Sequence, residues 1–147
     1  MSIALTFHIL AAIIWIGGMF FAHVVLRPSA GALDLPARLG LWDRVLSRFF
    51  MWVWLSIGAL LPSGFAMVFI GYGGFAVLPS NISLMMTVGV LMVVIFTYIY
   101  CIPWPRFRRA LAAADWPGAE LSIGKIRRLV GLNLLLGLAT VVLAAAY

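Results

Sequence analysis

Acidic side chains are almost missing from this sequence. The four present, Asp34, Asp43, Asp115 and Glu120, all lie in connections, and no Asp, Glu or Lys falls within any long apolar run. That excludes a carboxylate proton relay or an acidic ion-coupled site of the usual intramembrane kind. Cysteine occurs once, as Cys101, so there is neither a disulfide framework nor a thiolate metal cluster. No nucleophile stands beside a base, and no phosphate-binding glycine loop or zinc-protease motif is found. Charged residues make up 10% of the chain, where a soluble domain carries roughly 25%. Lipid is therefore the expected solvent.

What is there in abundance is apolar: 65% of the 147 residues are hydrophobic. Four uncharged stretches, 3–26, 49–72, 82–102 and 129–147, each approach the ~20 residues that a helix needs to cross ~30 Å of hydrocarbon. Backbone groups in lipid must be satisfied within a helix or a closed barrel, and the runs lack the period-two alternation of a barrel. The first stretch has no basic leader and exceeds the length of a signal-peptide core, so it reads as a retained helix. The expected fold is an all-α membrane protein, one antiparallel bundle of four transmembrane helices without internal repeats.

The formal charge is +6, and its placement decides its meaning. Arg27, Arg38, Arg44 and Arg48 lie between the first and second spans. Arg106, Arg108, Arg109, Lys125, Arg127 and Arg128 lie between the third and fourth. The 72–82 connection and both tails carry no Lys or Arg. By the positive-inside rule the two basic loops are cytoplasmic and both termini are outside, which in a bacterium means the periplasmic face of the inner membrane. Anionic lipid headgroups account for the basic loops without a nucleic-acid partner.

In the first basic loop Leu39, Trp42, Leu46 and Phe49 recur at helical spacing among charged residues, predicting an amphipathic interfacial helix that runs into the second span. The second basic loop shows two short helical patterns, Arg106 to Ala114 and Glu120 to Arg128. Between them Asp115-Trp116-Pro117-Gly118 predicts a turn. Trp42, Trp52, Trp54, Trp104 and Trp116 sit near the inner interface, as aromatic belts do. Trp15 instead falls near mid-membrane, where its indole N–H needs a partner in the bundle or a polar ligand. Neither loop can form a soluble catalytic domain, so any chemistry belongs in or beside the bundle.

Both histidines, His8 and His23, are in the first span, 15 positions and roughly 22 Å of rise apart. Fifteen steps of ~100° leave them about 60° apart around the helix, so both can face the interior, with Trp15 on the same face as His8. An ionisable side chain within a span is a functional candidate. If Arg27 and Pro103 mark the inner boundary, His23 is level with Tyr98, and His8 with about Ser83 to Met85. The outer half then holds His8, Met67, Met85 and Met86, a set of imidazole and thioether ligands that suits Cu(I), or iron in a His/Met haem. Pro62-Ser63-Gly64 predicts a kink in the second span, because Pro62 cannot donate to the Gly58 carbonyl. Asn133, in the fourth span, is expected to hydrogen-bond a neighbouring helix.

The run from His8 through Trp15 to Gly17-Gly18, followed by Leu26-Arg27-Pro28, resembles the first-helix pattern of the copper-resistance D-domain (CopD) family. Arg48-Phe49-Phe50, Pro103-Trp104 with Arg108-Arg109, Ile126-Arg127-Arg128, Asn133 and Gly137 extend the resemblance over nearly the whole chain. It implies copper handling or copper movement at the bacterial inner membrane. The chain is distantly similar to the HemJ-type protoporphyrinogen oxidases too, a group associated with haem b whose first-helix histidine His8 would match. That group's basic residue in the third helix has no counterpart here.

Three functions follow as expectations. The first is copper handling, with His8, Met67, Met85 and Met86 receiving Cu(I) from a periplasmic donor. The second is a haem b membrane cytochrome serving a redox partner, with His8 or His23 as axial ligand and Trp15, Met85, Met86 and Tyr98 around the group. The third is a non-catalytic subunit of a homo-oligomer or of a larger membrane complex.

Overall fold

The computed structural model describes residues 2–146. The expected outside placement of Tyr147 therefore lies beyond the described residues. Those residues form helices joined by short turns, with no strand among them. Helix α1 (Ser2–Phe20) passes through a π-helical segment, Phe21–Leu26, into the short α2 (Arg27–Ala30). Helix α3 (Leu35–Gly71) follows, then a 3-10 turn at Phe75–Val77, α4 (Ser80–Cys101), α5 (Pro103–Ala112) and α6 (Trp116–Ala145). Four helical segments are long and apolar enough to cross a membrane: Ser2–Ala30, Leu35–Gly71, Ser80–Ala112 and Trp116–Ala145.

The predicted interfacial helix and second span are one continuous 37-residue helix, α3. Its amphipathic first third buries Leu39, Trp42 and Leu46, and Pro62 lies within the helix without ending it. The second basic loop departs from expectation. The turn falls at 113–115, where Ala114 takes a left-handed φ of 53°, and Trp116-Pro117-Gly118 are the opening turn of α6. Pro117 is tolerated there because the first backbone N–H groups of a helix have no internal partner. Asp115 caps the start by accepting from the Gly118 N–H at 3.1 Å.

The spans pack as two hairpins. Helix α1 lies along α3, and α4 lies along α6 with α5 folded back on α6; α1 meets α6 across the centre, whereas α3 and α4 touch sparsely. The hairpins are joined by an aromatic layer in which Phe96 meets Trp15, Phe50 and Trp54 edge to face, at ring-centroid distances of 6.2, 5.4 and 5.0 Å. Such pairs contribute about 0.5–1.5 kcal/mol each beyond the area they bury. Close helix approach needs small residues where hydrocarbon offers little hydrophobic drive. At Gly137 an added Cβ would come within 2.9 Å of Ile16 and 3.2 Å of Met92. At Gly18 it would strike the Phe49 ring. Asn133 does make the interhelical bond expected of it, donating to the Met92 carbonyl at 3.1 Å.

Outward faces of all four spans carry bare apolar side chains, among them Ile70, Leu135, Leu55 and Val94. A water-facing surface does not expose apolar area on that scale, so these faces are in contact with lipid. Both basic loops come together at one end of the bundle, linked by ion pairs from Arg38 to Glu120 at 3.6 Å and from Arg108 to Asp43 at 3.4 Å.

Candidate functional site

His8 lies in the part of the bundle away from the basic loops. Its partner is on α3: Nδ1 is 3.0 Å from the Ser63 Oγ. A serine hydroxyl has one proton, and that of Ser63 is directed to the carbonyls of Ala59, at 2.6 Å, and Leu60, at 3.2 Å. Ser63 therefore accepts from His8, which assigns the imidazole as the Nδ1–H tautomer by its hydrogen-bond network. The lone pair is left on Nε2. A second group that fixes one ring nitrogen and frees the other is the arrangement that orients a histidine toward a metal.

The local sequence explains why this partner is available. Pro62 lacks an N–H, so the ladder of α3 is interrupted beside Ser63. Ser63 is buried, and its back-bond to Ala59 holds its oxygen at the helix surface. Gly64 packs beside the ring: a Cβ there would sit 3.4 Å from His8 Cε1, in ordinary van der Waals contact. Met67 follows Ser63 by one turn on the same face of α3.

The other candidates are distributed as follows. Met67, Met85 and Met86 are half-buried, on α3 and α4. Trp15 is buried, and among the described residues it makes no hydrogen bond; it is held against Phe96 instead. The interior partner expected for its indole is thus not found. Tyr98 is exposed and carries the Lys125 ammonium over its ring at 5.4 Å. His23 turns to α6, where a Cβ on Gly131 would lie 2.9 Å from its Cε1. Tyr98 is not among the side chains lining the cleft at His23. Among the described residues, no three His, Cys, Asp or Glu side chains gather into a metal-binding group. A metal ion held at His8 would depend on one imidazole and on thioethers.

A family model, described as Copper resistance protein D (CopD), matches residues 43–147. The chain belongs to the CopD family. No curated protein and no solved structure gives a match. The matched region takes in α3 from Asp43 onward and all of α4, α5 and α6, including Arg48-Phe49-Phe50, Pro103-Trp104, Asn133 and Gly137. It also contains Ser63, Met67, Met85 and Met86. Helix α1, with His8 and Trp15, and the π-helical segment, with His23, lie outside it. The chain is thus a multi-pass membrane protein of copper-resistance type, and both histidines stand on the helix that the family match leaves uncovered.

Proposed function

We propose that this CopD-family protein handles Cu(I) as cargo at the outer face of a bacterial inner membrane, with His8 as the principal ligand. The supporting observation is the His8–Ser63 pair, in which Ser63 Oγ lies 3.0 Å from Nδ1 and Nε2 is the ring nitrogen left for a metal. Cu(I) accepts low coordination numbers and soft ligands, so one imidazole with the thioether of Met67, or of Met85 or Met86, is chemically sufficient. The absence of carboxylates from the spans suits a soft cation better than calcium or magnesium, which take oxygen ligands. With the basic loops placed in the cytoplasm by the positive-inside rule, the Ser63 end of the bundle faces the periplasm, where a copper donor would deliver.

A haem b between the first and third spans is less well supported. Trp15 and Phe96 are both buried and in edge-to-face contact between α1 and α4, on the path a porphyrin between those helices would take.

The test is competition for Cu(I) between the purified full chain in mild detergent and a chromophoric Cu(I) chelator. His8→Ala is expected to abolish copper retention, and His23→Ala to leave it unchanged. Retention that survives His8→Ala and is lost with His23→Ala would move the site to the opposite end of the bundle.

A further inference from the structure

Helices α3 and α4 touch sparsely, and toward the basic end of the bundle they leave a groove of about 410 Å³ between them. Clefts of roughly 300–1,000 Å³ are the size that takes a small molecule. Both walls follow from sequence spacing. Ser47, Met51, Trp54 and Leu55 recur along one face of α3, while Tyr100, Trp104 and Arg108 recur at every fourth position through the end of α4 and into α5. The buried rings of Phe50 and Trp104 meet edge to face at 5.0 Å, and Trp54 meets Tyr100 in the same way at 5.4 Å. The groove is therefore built by packed rings, and its outer edge, at Met51, Trp54, Leu55 and Tyr100, is exposed to lipid.

One end of the groove is cationic and the other apolar. Arg108 Cζ lies 5.5 Å from the centroid of the Trp104 ring, and its Nε is 3.4 Å from Asp43 Oδ1. These contacts hold the guanidinium, yet the side chain stays 58% exposed, so most of its donors remain to be used. Ser47 has its proton directed to the Asp43 carbonyl at 2.6 Å, which leaves Arg108 as the donor at this end. From Ser47 to Leu55 the α3 wall runs for roughly 12 Å along the helix and ends on apolar side chains. A planar guanidinium fork matches the oxygens of a phosphate, and the apolar wall beyond it suits a hydrocarbon chain. The molecule with that sequence of parts at that depth is a membrane phospholipid.

We infer that this groove binds one phospholipid from the leaflet at the basic end of the bundle, with its phosphodiester on Arg108 and the first segment of an acyl chain along Met51, Trp54 and Leu55. Its walls belong to different hairpins, so the bound lipid bridges α3 to α4 and α5 where their own contacts are few. The groove is at the opposite end of the bundle from His8 and does not depend on the copper reading.

Native mass spectrometry of the delipidated full chain tests this, with phosphatidylglycerol, a diacylglycerol of the same acyl chains and inorganic phosphate as probes. Retention of phosphatidylglycerol but not of diacylglycerol is expected. Arg108→Gln should weaken it by about tenfold or more, and so should Met51→Trp, which fills the groove from an exposed position. Arg106→Gln, an exposed cation of α5 outside the groove, should leave it unchanged. Met51→Trp keeps the test decisive if loss of the Asp43 contact unfolds the Arg108 variant. Equal retention of diacylglycerol, or full retention by Arg108→Gln, would overturn the phosphate contact, and full retention by Met51→Trp would overturn the groove. Displacement of the lipid by millimolar inorganic phosphate would overturn the assignment to a lipid. A delipidated chain that dimerises, with Met51→Trp abolishing the dimer, would make the groove an interface between copies instead.

Discussion

Ser63 is the residue on which the chemistry of His8 turns. Its Oγ lies 3.0 Å from Nδ1, and with its own proton directed to the Ala59 carbonyl at 2.6 Å it is placed to accept from the ring. Ser63→Ala keeps the size of the side chain but removes the acceptor, so the imidazole is free to rotate and to exchange tautomers. Loss of such an orienting partner commonly costs 10–100-fold in metal affinity. Cu(I) affinity is therefore expected to fall by at least about tenfold in Ser63→Ala, with the helical circular dichroism unchanged. His8 could be picked out from the sequence because an ionisable side chain is conspicuous in an apolar run. Ser63 could not, because serine in a span is ordinary and Pro62-Ser63-Gly64 was informative chiefly as a helix breaker. The register follows only once the pairing of α1 with α3 is known. His23 shares its cleft with Leu46 and Phe49, and 15 positions outward from that level on α3 are residues 61–64, opposite His8.

At the scale of elements, the four spans and the amphipathic entry into α3 follow directly from apolar run length and helical periodicity. The start of α6 does not, since Asp115-Trp116-Pro117-Gly118 is consistent with a turn and with a capped helix start alike. Tertiary packing chooses the second, burying Ala119, Ile123 and Ile126 against the bundle. Helix pairing was the other element hidden from sequence. Depth arithmetic places residues along the membrane normal but does not say which helices are neighbours, and His8 faces α3 where α4 was the expected partner. The contact between α1 and α3 rests on Gly18, whose missing side chain admits the Phe49 ring. Gly18→Ala should lower stability by about 1–3 kcal/mol through overpacking. Gly17→Ala, at a position with nothing within 4 Å of the added carbon, should leave stability unchanged or slightly raised. Midpoints of unfolding in mixed detergent, measured for both variants, check the contrast.

For the whole molecule, the ion pairs linking the two basic loops place ten cations toward one end of the bundle, and the positive-inside rule turns that polarity into an orientation. In a Cys101→Ser background, Ala76→Cys in the turn between α3 and α4 should react with a membrane-impermeant maleimide added to intact spheroplasts. Ala113→Cys, between α5 and α6, should react only after permeabilisation. The reverse pattern would put His8 in the cytoplasm and remove the periplasmic donor from the account. Family membership was legible in the sequence through residues that the match at 43–147 covers. What the protein binds is the part it leaves open, since His8 lies outside that match and a single imidazole does not define a coordination geometry. The measurement that bears most directly on the cargo is the metal content and visible absorption spectrum of the full chain, purified in mild detergent from copper-fed, haem-sufficient cells. Near-stoichiometric copper that is lost with His8→Ala, and no Soret band, is the result expected here. A stoichiometric haem Soret band shifted by dithionite, or copper content indifferent to His8, would contradict it.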